Sequence, residues 1–169
     1  MNVFKFEPIY KKRVWGGNQF SKLFDPKIEK NEKFGESWNI VDREEDQSIC
    51  YLSKGEKISL REILETKGHE VVGPHWEKGM RFPILIKWLD CQERLSLQVH
   101  PPHDLAKKLG GEPKTENWYV VKSTENSGLF LGFNRRTSEN ELRDALENSQ
   151  AENLCHRIQS YPNDSVLVE

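Results

Sequence analysis

Short stretches in which apolar and polar residues alternate, or in which apolar residues run together, recur along the chain and predict β-strands. The stretch 82–89 is almost continuously apolar and predicts a buried strand. The last stretch, 165–169, is expected to have no strand partner, which would leave an open edge for self-association. The predicted strands lie at residues 37–41, 48–52, 82–89, 95–100, 117–122, 128–133 and 165–169.

Two Ser-x-x-Glu patterns predict helix starts, because such a serine and glutamate can satisfy each other's backbone N–H groups in a capping box. The first pattern, Ser59 with Glu62, predicts a short helix that ends near Gly68. The second, Ser138 with Glu141, predicts another helix. Short strands with a few short helices indicate a mainly β protein, a sandwich or a barrel. The length of 169 residues suits a single domain over residues 1–169.

Composition excludes several classes of partner. The net charge is -2, so no global basicity indicates nucleic acid or an anionic membrane. The three cysteines are far apart and form no CxxC pair, which argues against disulfides and a thiolate zinc site and predicts a reducing, cytoplasmic location. No signal-peptide layout and no apolar run of membrane-spanning length is present. An anionic substrate would therefore be held by a few local cations.

The stretch 95–100 carries the first candidate chemistry. In a strand, Leu95, Leu97 and Val99 would face one side, while Ser96, Gln98 and His100 would line the other. A polar strand face in contact with water is the ordinary explanation for such a pattern. The alternative is a functional row of a hydroxyl, an amide and an imidazole, which the charged residues of neighbouring stretches favour.

Those neighbouring stretches contain Lys87, Lys114 and Glu116. Lys87 interrupts an apolar strand, either as an edge lysine that reaches water or as a cation that holds a phosphate or a sugar oxygen. Lys114 and Glu116 would share a strand face, either as a solvated ion pair or as a metal carboxylate beside a lysine. Imidazole, carboxylate and a neutral oxygen donor suit Zn²⁺, and less selectively Mn²⁺, Fe²⁺ or Co²⁺. Trp15 and the segment 35–38, which ends in Trp38, could line a sugar site because aromatic faces stack on sugar rings, although core packing is the commoner role of tryptophan.

Five segments resemble type I phosphomannose isomerases, particularly the shorter bacterial form, in their order and spacing. The resemblance implies a cupin-like (jelly-roll) β-barrel. It also implies one divalent metal ion per site, usually Zn²⁺, and a sugar-phosphate substrate. The implied reaction interconverts mannose 6-phosphate and fructose 6-phosphate through a cis-enediol. The five segments are residues 13–17, 35–38, 82–87, 95–101 and 114–119.

The resemblance also assigns roles to single residues. In the family, a second histidine ligand and a catalytic arginine follow a strand similar to residues 165–169, so neither has a counterpart here. The barrel is therefore expected to be incomplete at the carboxy terminus, and metal binding by the chain alone is expected to be weak. The general base is left open between Lys114, Glu116 and a residue beyond position 169. The predicted residues are Gln98, His100 and Glu116 as metal ligands, Lys87, Ser96 and Trp15 as substrate contacts, and Lys114 and Glu116 as catalytic groups.

Three other hypotheses fit the same residues. The chain could be a different metal-dependent sugar-phosphate isomerase of the cupin type. It could be a non-catalytic, cupin-like sugar-binding or regulatory protein, which the absent second histidine and arginine favour. It could also be an incomplete domain that folds only with further polypeptide and therefore exposes apolar surface.

Overall fold

The computed structural model of the chain describes residues 3–52 and 55–168. These residues form two compact units, divided between Leu95 and Ser96. The sequence predicts one domain over residues 1–169, and that the two units act together as one domain stays a prediction. The described residues are mainly β-structure with a few short helices, and they close no barrel. No helix within the described ranges is long and apolar enough to cross a membrane.

The first unit contains a three-stranded antiparallel sheet in the order β1-β2-β5, and β3 and β4 pair separately as an antiparallel ladder. Its elements are β1 (Ile9–Lys11), α1 (Gln19–Leu23), β2 (Glu36–Ile40), β3 (Ile49–Tyr51), β4 (Lys57–Ser59), α2 (Leu60–Val71) and β5 (Ile86–Leu89).

Helix α2 supplies the core of the first unit. Ser59 and Glu62 form the predicted capping box. Leu60, Ile63 and Leu64 make a buried stripe at helical spacing. Leu60 and Leu64 pack with Trp76, and partly buried apolar residues surround that cluster. The buried face of one amphipathic helix thus organises this unit.

Near the predicted end at Gly68, α2 has a kink at Lys67 where the backbone leaves the helical conformation, and the helix then continues to Val71. A Cβ on Gly68 would lie 2.2 Å from a ring carbon of Trp76, so this glycine permits the close approach of the indole. Gly73, with φ of +115°, follows the true end of the helix. The glycine near the predicted end therefore serves packing, and a later glycine allows the turn.

The second unit consists of two separate antiparallel strand pairs, β6-β9 and β7-β8. Ser138 and Glu141 form the second predicted capping box at the start of α4. The elements are α3 (His103–Lys108), β6 (Glu116–Tyr119), β7 (Gly128–Phe133), α4 (Glu139–Glu147), a 3₁₀ helix (Ala151–Leu154), β8 (Cys155–Gln159) and β9 (Ser165–Val168).

Three strand predictions need correction. The stretch 82–89 is a strand only over β5, which lies at the edge of its sheet, so Ile86 and Trp88 are exposed rather than buried. The stretch 95–100 forms no strand, because the described residues supply no pairing partner, and Val99 is 86% exposed. The last strand is paired after all, since β9 lies antiparallel to β6. Its other edge faces no strand among the described residues, and self-association through that edge stays a prediction.

Candidate metal centre

Strand β6 of the second unit places Glu116 among polar side chains. Pairing of Glu116 with Val168 on β9 fixes the backbone at this point. The Nε2 atom of His100 lies 3.4 Å from Oε2 of Glu116, and Nζ of Lys114 lies 2.7 Å from Oε1. Nε1 of Trp118 donates a hydrogen bond of 3.3 Å to Oε2. The structure thus brings together three of the predicted residues and adds an indole.

The spacing between His100 and Glu116 suits a shared metal ion. Zinc binds imidazole nitrogen and carboxylate oxygen at about 2.0–2.2 Å, so two ligands of a tetrahedral ion lie about 3.3 Å apart. The observed 3.4 Å matches that spacing and exceeds the roughly 2.7–2.9 Å of a charge-assisted hydrogen bond. Nδ1 of His100, the ring nitrogen that a metal at Nε2 would not use, is buried without a hydrogen-bond partner among the described residues. The donor pair therefore fits a divalent metal.

Gln98 contacts Ser96. Its amide Nε2 donates a hydrogen bond of 3.1 Å to Oγ of Ser96, and both side chains are exposed. The described ranges contain no group of three or more His, Cys, Asp or Glu residues that could hold a metal ion. The structure thus presents two of the three predicted ligands side by side, and the ligand role of Gln98 stays a prediction.

Lys87 belongs to a separate cluster in the first unit. It lies on β5 opposite Trp38 of β2, and its Nζ is 3.6 Å from Oε1 of Glu36. Glu36 is buried and also accepts hydrogen bonds from Arg13, at 2.7 Å, and from Nε1 of Trp38, at 3.0 Å. Lys87 is therefore paired with a buried carboxylate and does not simply extend into water. Its predicted contact with substrate stays a prediction.

Trp15 is half-buried and packs beside a glycine. A Cβ on Gly35 would lie 2.6 Å from ring atom Cζ3 of Trp15, so only glycine leaves room for this indole. The carbonyl oxygen of Trp15 accepts hydrogen bonds from the backbone N–H groups of Gln92 and Glu93. These contacts account for Trp15 by packing, and its role in sugar binding stays a prediction.

Two tryptophans, Trp38 and Trp118, donate hydrogen bonds to Glu36 and Glu116. The sequence offered Trp38 only as part of a segment that could line a sugar site, and it assigned no role to Trp118. Each follows a glutamate by two residues, so a strand places the pair on one face. The repeated Glu-x-Trp spacing was a signal that could have identified both contacts.

Comparison with known proteins agrees with these segments. Residues 3–129 match the family described as phosphomannose isomerase type I, catalytic domain. Mannose-6-phosphate isomerase ManA of Bacillus subtilis is 32% identical over 165 residues, which are 96% of this chain and 50% of that protein. A mannose-6-phosphate isomerase of Streptococcus mutans is 33% identical over 93% of this chain and 48% of that protein.

A solved structure shows the same fold. The crystal structure of the mannose 6-phosphate isomerase from Bacillus subtilis superposes with a TM-score of 0.82 and 30% sequence identity. The match covers 98% of this chain and 52% of that one. The chain thus spans about half the length of the relatives it matches. With its family model, its curated relatives and its fold in agreement, the chain belongs to the catalytic-domain family of type I phosphomannose isomerases.

Proposed function

We propose that this chain is part of a metal-dependent aldose-ketose isomerase that interconverts mannose 6-phosphate and fructose 6-phosphate through a cis-enediol. The observation that carries the proposal is the cluster of His100, Lys114 and Glu116, in which an imidazole and a carboxylate lie at the spacing of two metal ligands. The names of its relatives support the substrate, a sugar phosphate. The chain is about half as long as those relatives, so this activity belongs to the completed enzyme.

Each clustered residue has a distinct task in this proposal. His100, Glu116 and Gln98 would hold Zn²⁺, which supplies Lewis-acid polarisation of the sugar oxygens when it is bound. Lys114 pairs with one oxygen of Glu116 and places its side-chain nitrogen close to the site. Either Lys114 or Glu116 could act as the base that moves a proton between C1 and C2. The hydroxyl of Ser96 and the ammonium of Lys87 would bind the sugar phosphate, and Trp15 would contact the sugar.

The proposed architecture is a cupin-like barrel of a cytoplasmic enzyme. The mainly antiparallel strands support it, because such barrels are built from antiparallel ladders. The two strand pairs of the second unit leave free edges, and these edges would pair with further strands of a complete barrel. We also propose that the isolated chain self-associates through these strand edges.

Titration calorimetry with Zn²⁺ tests the metal site. We expect weak saturable binding by the isolated chain, with a dissociation constant above the micromolar range, because the described residues bring His100 and Glu116 to ligand spacing but hold no group of three His, Cys, Asp or Glu side chains. His100→Ala should abolish this binding. His156 is an exposed histidine on β8, and His156→Ala should leave the binding unchanged. Sub-micromolar affinity of the isolated chain, or equal effects of the two substitutions, would contradict the proposed ligand set.

A coupled assay for fructose 6-phosphate tests the reaction. The isolated chain should show little turnover. Addition of the half of Bacillus subtilis ManA that this chain does not match should raise turnover, and Glu116→Gln should remove the gain. Substantial turnover by the isolated chain would contradict the assignment of essential groups to the absent half.

A non-catalytic sugar-binding protein is the second candidate. It is favoured because the described residues contain no group of three or more His, Cys, Asp or Glu side chains that could hold a metal ion. This alternative predicts binding of mannose 6-phosphate without turnover, both alone and with the complementing half present. Calorimetry with the sugar phosphate, run beside the coupled assay, separates the two functions.

A further inference from the structure

The same local arrangement of glutamate and tryptophan occurs once in each unit. Glu36 and Trp38 lie on β2 of the first unit, and Glu116 and Trp118 lie on β6 of the second. Residues two apart on a strand point to the same side, so each indole can reach the carboxylate before it. The Nε1–H of Trp38 donates to Oε2 of Glu36 at 3.0 Å, and that of Trp118 donates to Oε2 of Glu116 at 3.3 Å.

The two carboxylates differ in the rest of their surroundings. Glu36 is buried and has two cations beside it, Arg13 at 2.7 Å and Lys87 at 3.6 Å. Two cations more than neutralise one carboxylate, so this cluster is not suited to binding a metal cation. The indole N–H of Trp38 adds a third donor to the buried carboxylate of Glu36, because a buried charge is stable only when it is paired and hydrogen-bonded.

Glu116 contacts a lysine and faces an imidazole. Lys114 pairs with Oε1, at 2.7 Å, while Oε2 receives the indole and lies 3.4 Å from Nε2 of His100. An indole N–H is a neutral donor and has no acceptor atom. It can therefore fix the direction of Oε2 without cancelling its charge and without binding a cation itself. A second lysine in the same place would fix the oxygen and also repel a metal ion.

We propose that Trp118 is a positioning residue, whose indole N–H holds Oε2 of Glu116 toward His100 so that the two side chains can bind one divalent metal ion. The inference rests on the proposed function and names a group that supports that site. Without the indole, Oε2 of Glu116 loses the donor that holds it on the side of His100. Loss of such outer contacts typically weakens metal binding about 10–100-fold.

The first experiment tests the contact itself and needs no metal. In ¹H–¹⁵N spectra of the full chain, the indole N–H resonance of Trp118 should shift in Glu116→Gln, because an amide oxygen accepts more weakly than a carboxylate. The indole of Trp38 should stay unmoved in that variant and should shift in the matched variant Glu36→Gln. An unmoved Trp118 indole in Glu116→Gln would overturn the inference.

The second experiment measures affinity for Zn²⁺ alone by titration calorimetry. Trp118→Phe keeps an aromatic ring and removes the donor, and we expect its dissociation constant to rise about 10–100-fold. Trp38→Phe makes the same change at the other Glu-x-Trp pair and should leave the constant unchanged. Circular dichroism of both variants checks that the strands are retained. If Trp118→Phe fails to fold, the indole shifts of the first experiment decide the question.

The outcomes separate this inference from the proposed function. Wild-type binding of Zn²⁺ with unchanged affinity in Trp118→Phe overturns the role of Trp118 alone. An equal loss in Trp118→Phe and Trp38→Phe also overturns it, because the effect would then be general. No saturable Zn²⁺ binding by the wild-type chain contradicts the metal site and, with it, the orienting role of the indole.

Discussion

The two units of the chain differ in what they bury. The first has a core in which Leu60, Leu64 and Trp76 pack together, with Ile63 and Val41 also fully buried. In the described part of the second unit, the buried hydrophobic residues are Ala106 and Leu154. Its helix α4 buries no residue at all. The residues of the candidate metal centre thus lie in the unit with the thinner core.

Both units expose large apolar side chains, so the difference between them lies in the core and not in the surface. Exposed apolar surface can indicate an interface when it is contiguous. In the second unit such side chains accompany a thin core, and they are available for further contacts. Large hydrophobic residues exposed in this unit are Leu97, Val99, Leu105, Leu109, Tyr119, Val121, Phe133, Leu146, Tyr161 and Leu167.

The largest expected effect is a core substitution in the first unit. Leu64 is fully buried, so Leu64→Ala should lower the free energy of unfolding by about 2–5 kcal/mol through lost burial and a residual cavity. Leu109 of the second unit is 70% exposed, and Leu109→Ala should change the free energy of unfolding by no more than about 0.5 kcal/mol. Urea unfolding followed by circular dichroism measures both. Similar losses in the two variants would mean that the second unit has a core of its own.

A smaller effect is expected on self-association. The exposed apolar surface of the second unit should make the chain associate as its concentration rises, which sedimentation velocity detects. Val99 is 86% exposed and should be covered on association. Burial of a valine side chain contributes about 1.5 kcal/mol or more, which corresponds to about a tenfold change in a dissociation constant. Val99→Lys should therefore weaken association about tenfold or more.

The first unit supplies the control for that measurement. Val14 is 96% exposed, and Val14→Lys adds the same charge at a comparably exposed valine. It should leave association unchanged. Equal weakening by the two substitutions would assign the effect to net charge rather than to the surface of the second unit.

Sequence patterns predicted local features equally well in both units. Ser59 with Glu62 and Ser138 with Glu141 form capping boxes as predicted, because all of their partners lie within one helical turn. The stretch 95–100 shows where such patterns fail. Its alternation makes it competent for a strand, but pairing depends on residues distant in sequence, and the described chain supplies none.

The candidate site shows the same contrast between contacts that are local in sequence and contacts between distant residues. Lys114 and Glu116 are two residues apart on an extended segment, and their predicted contact is confirmed. The approach of His100 to Glu116 came from the resemblance to a family and not from spacing. The pairing of Lys87 with Glu36 could not be predicted, because it depends on the register of β5 against β2. Long-range contacts thus required either homology or the structure.

The smallest expected effect concerns acid and the two capping boxes. In the second unit, the pKa of Glu141 is lowered to about 2, mainly because its carboxylate accepts the backbone N–H of Ser138, with a further contribution from the Arg135 side chain. A carboxyl with a lower pKa in the folded state stabilises the fold above its unfolded pKa of about 4.3, and that contribution is lost as pH falls to about 2. Helix α4 should therefore lose order over this range.

Helix α2 of the first unit should resist the same acidification. The pKa of Glu62 is also lowered, by hydrogen bonds from the backbone and side chain of Ser59. However, α2 is additionally held by Leu60, Ile63 and Leu64, whereas α4 buries nothing. Carbon-13 chemical shifts recorded between about pH 5 and pH 2 should show α4 fraying first. This range begins above the pKa of roughly 4.3 of a free glutamate. Glu141→Gln should remove that pH dependence, and Glu147→Gln, outside the box, should retain it. Simultaneous fraying of both helices would show that burial does not distinguish the two units.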